Sequence, residues 1–235
     1  MLYEAVRFLA AGEAALVVEF ADEISPEANG RVLALAAALR RRPLPGLVEA
    51  VPSYRSLLVH YNPLRLAEER LRRHVERLLA VEAQSGAEAA PGRLREVPTV
   101  YGGELGPDLP SVAAIAGLGE AEVVRLHSET VYTVYMIGFL PGFPYLGILP
   151  EALTTPRLEA PRLVVPAGSV AIAGRQTGIY PLDSPGGWRI IGRTPLCLFD
   201  PQRDPPAYLG PGDRVRFVPV AAADFARLAQ EQVWS

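Results

Sequence analysis

The run Gly138-Phe139-Leu140-Pro141-Gly142-Phe143-Pro144-Tyr145 carries three aromatic rings on a backbone stiffened by two prolines. Proline lowers the entropy lost when such a loop orders. The rings offer flat apolar area to a ligand ring or a partner surface. Two further loops set polar groups beside glycine: Pro166-Ala167-Gly168-Ser169 and Gly174-Arg175-Gln176-Thr177-Gly178-Ile179-Tyr180. Glycine lets backbone approach a ligand closely. Arg175 and Arg193 can hold a carboxylate or phosphate through paired hydrogen bonds. Phe139, Pro141, Gly142, Phe143, Tyr145, Gly168, Ser169, Arg175 and Thr177 are therefore expected to bind substrate or partner. The catalytic group stays open, with His127, Gln176, Tyr180 and Arg193 as candidates. The competing reading is architectural: the glycines turn corners and the aromatics fill a core.

Other chemistries fail on inventory. All 23 basic residues are arginine. That removes the P-loop lysine, the Schiff-base lysine and any lysine carrying biotin or lipoate. Any bound anion must be held by arginine, backbone N–H groups, helix N-termini or a partner chain. His60, His74 and His127 are far apart and no Cys or His pair has ligand spacing, so no metal site is expected. Ser169 and Ser184 do not sit in a nucleophile elbow; a Ser-His-Asp triad through His127 remains open. Ala113, Gly117 and Val123 have helix-turn-helix spacing, but Glu120 and Glu122 would face DNA phosphates.

The 235 residues suffice for one large domain or two small ones, and a net charge of −3 argues against nucleic acid or an anionic membrane as partner. No apolar run approaches the roughly 20 residues that span a bilayer. The first residues lack the pattern of a signal peptide, and Cys197 has no internal disulfide partner. The expected location is the cytoplasm.

The elements that must position these loops follow from pattern. Ala14 to Phe20 reads as a strand. Ser25-Pro26-Glu27 starts a helix with a capping hydroxyl, an early proline and an acid near the dipole. Leu47–Val51 and Ser56–Tyr61 read as strands, and Leu66–Glu82 as a helix. This βαββα order predicts an α+β domain over 1–83 resembling the ferredoxin-like fold. Residues 84–96 are small, polar and turn-forming, and are expected to be a linker. Ser111–Ala116 and Glu120–Ser128 read as short helices around Gly117, and Val131–Gly138 as a strand. From Gly138 to Gly212 the chain holds 11 Gly and 13 Pro, with apolar runs such as Leu163-Val164-Val165 between them. Short strands between tight turns predict a β-barrel or sandwich over 97–235.

At these residues the sequence resembles a known family. Tyr135 to Gly147 is similar to the signature of the 5-oxoprolinase B-subunit family, also called allophanate hydrolase subunit 1 or the sporulation-kinase inhibitor family. So are Pro161-Arg162 through Gly174, Gln176 to Pro181, Ser184 to Trp188, and Gly192 to Pro201. Val51 to Val59 and Tyr101-Gly102-Gly103 extend the likeness over essentially the whole chain, whereas Ala11 to Leu16 departs from it. The resemblance implies an N-terminal α/β domain and a C-terminal cyclophilin-like β-barrel, without implying isomerase activity. It implies a related partner, the 5-oxoprolinase C subunit, and a third component, the A subunit, which together open 5-oxoproline to glutamate with ATP. ATP is expected to be shared with a partner subunit. The alternatives it carries are inhibition of a sensor histidine kinase and half of a carboxyltransferase unit in a urea-carboxylase-like system.

Overall fold

The computed structural model describes residues 1–85 and 92–231. The chain divides into two units, Met1–Pro91 and Gly92–Ser235. The first contains β1 (Leu2–Ala10), β2 (Ala15–Ala21), α1 (Pro26–Arg41), β3 (Leu47–Pro52), β4 (Ser56–Tyr61) and α2 (Glu68–Ser85). Its strands form an antiparallel sheet in the order β1-β2-β4-β3. Side chains alternate across a strand, so β2 buries Leu16, Val18 and Phe20 while β4 buries Leu57, Val59 and Tyr61. Val32, Leu35 and Leu39 of α1 and Leu71, Val75 and Leu78 of α2 complete that core. Helix α1 starts at the anticipated cap: the Ala28 N–H donates to Ser25 Oγ at 3.1 Å. Arg40 and Arg41 occupy its last turn, where cations complement the helix dipole. Strand β1 was not anticipated. It pairs with β2 at the sheet edge, only Val6 and Phe8 pack in part against the core, and a register shift between Leu2 and Arg7 shortens the alternation. Helix α2 starts two residues later than expected because Leu66 belongs to a turn, its N–H donating to the Asn62 carbonyl at 2.9 Å.

The second unit contains β5 (Leu94–Tyr101), α3 (Leu109–Ala116), α4 (Glu120–Glu129), β6 (Val131–Ile137), β7 (Pro144–Gly147), β8 (Arg162–Val165), β9 (Ser169–Ala173), β10 (Gln176–Ile179), β11 (Ser184–Gly186), β12 (Arg189–Arg193), β13 (Arg214–Pro219) and α5 (Phe225–Gln230). Strands β10-β7-β6-β13-β5-β12-β9 close into a barrel, with β5 and β13 parallel. This is the expected barrel. Strands β8 and β11 form a separate two-stranded ribbon. Strand β5 takes the last residues of the expected 84–96 linker, and α2 takes the first two; residues 86–91 lie outside the described residues. Gly117 ends α3 in the left-handed region at φ 66°. The two short helices do not present a DNA-reading face: α4 turns Val123 and His127 into the unit's core.

Candidate functional site

Strand β9 separates two apolar clusters. Val170 and Ile172 join one with Tyr132, Ile191 and Phe217, whereas Ala171 and Ala173 join the other with Phe143, Tyr180 and Trp188. Alternation along a strand puts these on opposite faces of the barrel wall. His127 identifies the inner face. Its ring meets Tyr101 of β5, Thr177 of β10 and Phe217 of β13, strands from different parts of the ring.

The outer cluster contains the aromatics that the sequence singles out. Phe143 is buried, with its ring centroid 5.1 Å from Tyr180, 4.9 Å from Tyr145 and 5.7 Å from Trp188. Phe139 stands edge-on to Phe143 at 5.6 Å and to Tyr180 at 6.4 Å. Phe139 is 62% exposed and has φ 66°, a conformation that L residues with bulky side chains rarely adopt. The loop closes on itself: the Gly138 N–H donates to the Phe143 carbonyl and the Phe143 N–H to the Leu140 carbonyl. Gly142, at φ 79°, packs against Phe199, and Pro141 stays exposed. The 138–145 loop is therefore a preformed aromatic wall with one ring held outward.

The second group gathers at a turn below that wall. The Gly168 N–H donates to the Tyr180 carbonyl at 2.7 Å, and the Tyr180 N–H to the Ser169 carbonyl at 2.9 Å. Ser169 Oγ donates to the Pro166 carbonyl and Arg193 Nε to the Ala167 carbonyl, both at 2.7 Å. These side chains hold the turn. Arg175 is exposed in the β9–β10 turn, and Gln176 opens β10 opposite Gly147 and Ala173. The structure thus brings Phe139, Phe143, Tyr145 and Tyr180 together, and leaves Arg175 and Arg193 outside that group.

His127 and Thr177 lie inside the wall, both 0% exposed. Thr177 Oγ1 donates to the Ala171 carbonyl at 3.1 Å, so it accepts from His127 Nε2 at 2.9 Å. His127 Nδ1 is then the acceptor for the Tyr101 hydroxyl at 2.8 Å. Both ring nitrogens are taken and neither meets a serine or a carboxylate, which removes the triad reading. Burial lowers the His127 pKa to about 3, so the ring is neutral near pH 7. Burial also pushes the Tyr101 hydroxyl well above its usual range, keeping it a donor.

Sequence reading missed the groups that flank the outer wall. Arg157 is exposed, and its positive charge reaches the hydroxyls of Tyr145 and Tyr180. Burial raises both hydroxyls against that charge, so both remain protonated donors at neutral pH. Arg162 Nη2 donates to Asp108 Oδ1, and the Ile190 N–H donates to Asp108 Oδ2, each at 2.7 Å. The segment bearing both arginines is pinned: Leu158 N–H donates to the Gly187 carbonyl at 2.8 Å and Arg189 Nε to the Pro156 carbonyl at 3.0 Å. Among the described residues no group of three His, Cys, Asp or Glu could hold a metal ion.

Comparison with known proteins agrees with this architecture. Residues 6–209 match the family described as carboxyltransferase domain, subdomain C and D. The chain is 51% identical to the 5-oxoprolinase B subunit of Escherichia coli O157:H7 over 212 residues, which is 88% of this chain and 93% of that protein. It is 42% identical to the 5-oxoprolinase B subunit of Bacillus subtilis (strain 168) over 230 residues, 94% of this chain and 95% of the other. The crystal structure of TTHA0988 superimposes with a TM-score of 0.78 at 45% identity; the match covers 88% of this chain and 40% of that one, so this chain spans about two fifths of that solved protein. The family match over most of the chain and the two full-length relatives agree: the chain belongs to the carboxyltransferase subdomain C and D family and, within it, to the 5-oxoprolinase B-subunit group.

Proposed function

We propose that this chain is the B subunit of an ATP-dependent 5-oxoprolinase and acts with the C and A subunits to convert 5-oxoproline to glutamate. The observation that carries the reading is the outer face of the second unit. There a preformed aromatic wall meets arginine and tyrosine donors around Tyr180. A lactam acid is a flat ring with one carboxylate and one amide oxygen. Aromatic faces suit the ring, arginine suits the carboxylate, and fixed donors stabilise negative charge that develops on the amide oxygen during activation. In this reading His127 and Thr177 are positioning residues that hold β10 against the wall from inside, and Gly168, Ser169 and Arg193 hold the turn that anchors Tyr180.

ATP supplies the phosphoryl group that activates the lactam. The residues of this chain alone make a poor fit to a triphosphate. Its basic residues are all arginine, and the arginines beside the wall are Arg157 and Arg162 rather than a glycine-rich cradle. The nucleotide is assigned to a site shared with a partner subunit, and this face supplies half of the chemistry.

The test is co-expression with the neighbouring subunits and an assay of ATP-dependent glutamate release from 5-oxoproline. The complex should turn over, and the isolated chain should not. A complex that assembles yet releases no glutamate would rule out the function; full turnover by the single chain would rule out the shared site.

A further inference from the structure

We infer that Arg157 and Arg162, with the Tyr180 hydroxyl, form a carboxylate-binding subsite on the outer face of the second unit, and that its ligand is the carboxylate of the lactam acid. The inference rests on the function proposed above and assigns it Arg157 and Arg162, which are not among the candidate site residues expected from the sequence.

Arg162 is oriented but only half used. Its Nη2 is committed to Asp108 at 2.7 Å, and Asp108 is itself held by the Ile190 N–H. Its Nη1 is buried and has no hydrogen-bond partner. A buried donor left without an acceptor is destabilising, and native proteins leave few of them. Ser184 Oγ, on the facing strand of the same ribbon, is likewise buried without a partner. The Arg162 side chain keeps 31% of its surface open, so a turn of the guanidinium would present the enclosed, unpaired amino group to an incoming acid.

Three neighbours make the donors converge. Arg162 pairs with Gly186 across the ribbon. A Cβ on Gly186 would overlap the Tyr180 hydroxyl, which places that hydroxyl beside the Arg162 rung. Burial keeps that hydroxyl protonated, so it carries a hydrogen to donate. Arg157 is exposed, makes no ion pair among the described residues, and acts electrostatically on the same hydroxyl. Glu159 is exposed between the two arginines in sequence, so the segment's two positive charges outnumber its one acid. Two guanidinium groups and a phenol beside an apolar floor suit a small planar carboxylate better than a bulky polyphosphate.

The experiment is calorimetric titration of the complex of the full chain with its partner subunit. The probes are 5-oxoproline and 2-pyrrolidinone, the same lactam without the carboxylate. Wild type should bind 5-oxoproline at least about tenfold more tightly, the scale of a charge-assisted hydrogen bond. Arg157→Gln and Arg162→Gln should each shrink that preference, and Arg162→Lys should restore part of it, since charge returns without the planar fork. Arg157 is exposed, so its variant reads binding without a folding defect even where Arg162→Gln melts early. A full preference in both glutamine variants overturns the subsite. So does failure of wild type to prefer 5-oxoproline, or competition by inorganic phosphate as strong as by 5-oxoproline. If the preference is present and arginine-dependent but the complex releases no glutamate, the subsite stands and the proposed reaction falls.

Discussion

His127 carries its proton on Nε2, because Thr177 Oγ1 spends its own hydrogen on the Ala171 carbonyl and must accept from the ring. This fixes the sign of a pH effect. An unfolded histidine protonates near 6.5, whereas in the folded chain burial lowers the value to about 3. Between those values the unfolded state binds more protons. Stability from this residue is therefore complete above about pH 6.5 and falls as pH drops toward 3. One pKa unit is about 1.4 kcal/mol, so wild type should lose roughly 2 kcal/mol between pH 7 and pH 5 that a His127→Gln variant does not lose. Denaturant unfolding of both proteins at the two pH values measures the difference. Equal losses would mean that the imidazole titrates as freely as in water. The single histidine in the motif region was legible as a candidate, but its role was not. The Tyr101–His127–Thr177 chain joins residues 26 and 50 positions apart, and no local spacing signals it. Arg157 and Arg162 escaped for the same reason: the residues that make them interesting, Asp108 and Tyr180, come from other elements.

At the scale of elements, local chemistry marked what it could. Ser25, Pro26 and Glu27 announce α1, and the strand read over Val131–Gly138 is β6 at Val131–Ile137. Leu163-Val164-Val165 misleads. An apolar run is expected to be buried, yet Leu163 is 88% and Val164 61% exposed, and only Val165 reaches the outer cluster. The glycines also divide by what surrounds them. Gly168 has φ 81°, and a Cβ there would overlap the Thr194 carbonyl oxygen. Gly174 has φ 55° with nothing near its missing Cβ. Gly168→Ala should therefore cost more than about 2 kcal/mol, from backbone strain plus the clash. Gly174→Asn should cost under about 1 kcal/mol, because asparagine tolerates the left-handed region. Thermal unfolding of the two variants should separate them clearly. Similar melting temperatures would mean that the 166–169 turn yields to admit a side chain, and Tyr180 would lose its claim to a rigid anchor.

For the whole molecule, the exposed apolar surface around the outer cluster bears on assembly. Phe139, 62% exposed, stands edge-on to buried Phe143 and Tyr180, while Leu163 at 88% and Val164 at 61% precede Val165 of the outer cluster in β8 and Leu182 at 38% follows Tyr180 in sequence. Such surface marks interaction sites, and aromatic anchors dominate binding energy at interfaces. The proposed function needs a partner against this face. Phe139→Asn is the sharpest probe, since asparagine accepts φ 66° and removes only the ring. Phe139→Asn and Leu163→Asp should each weaken association with the partner subunit at least about tenfold, the effect of an interface hot spot, with the melting temperature of the isolated chain unchanged or higher. Val48→Ser, equally exposed at 68% but in the first unit, should leave association intact. Glutamate release by the Phe139 variant should be low at limiting partner and recover when the partner is raised in excess. Association unchanged by both substitutions would move the interface elsewhere. Association intact with turnover lost at every partner concentration would instead make the Phe139 ring a contact for substrate.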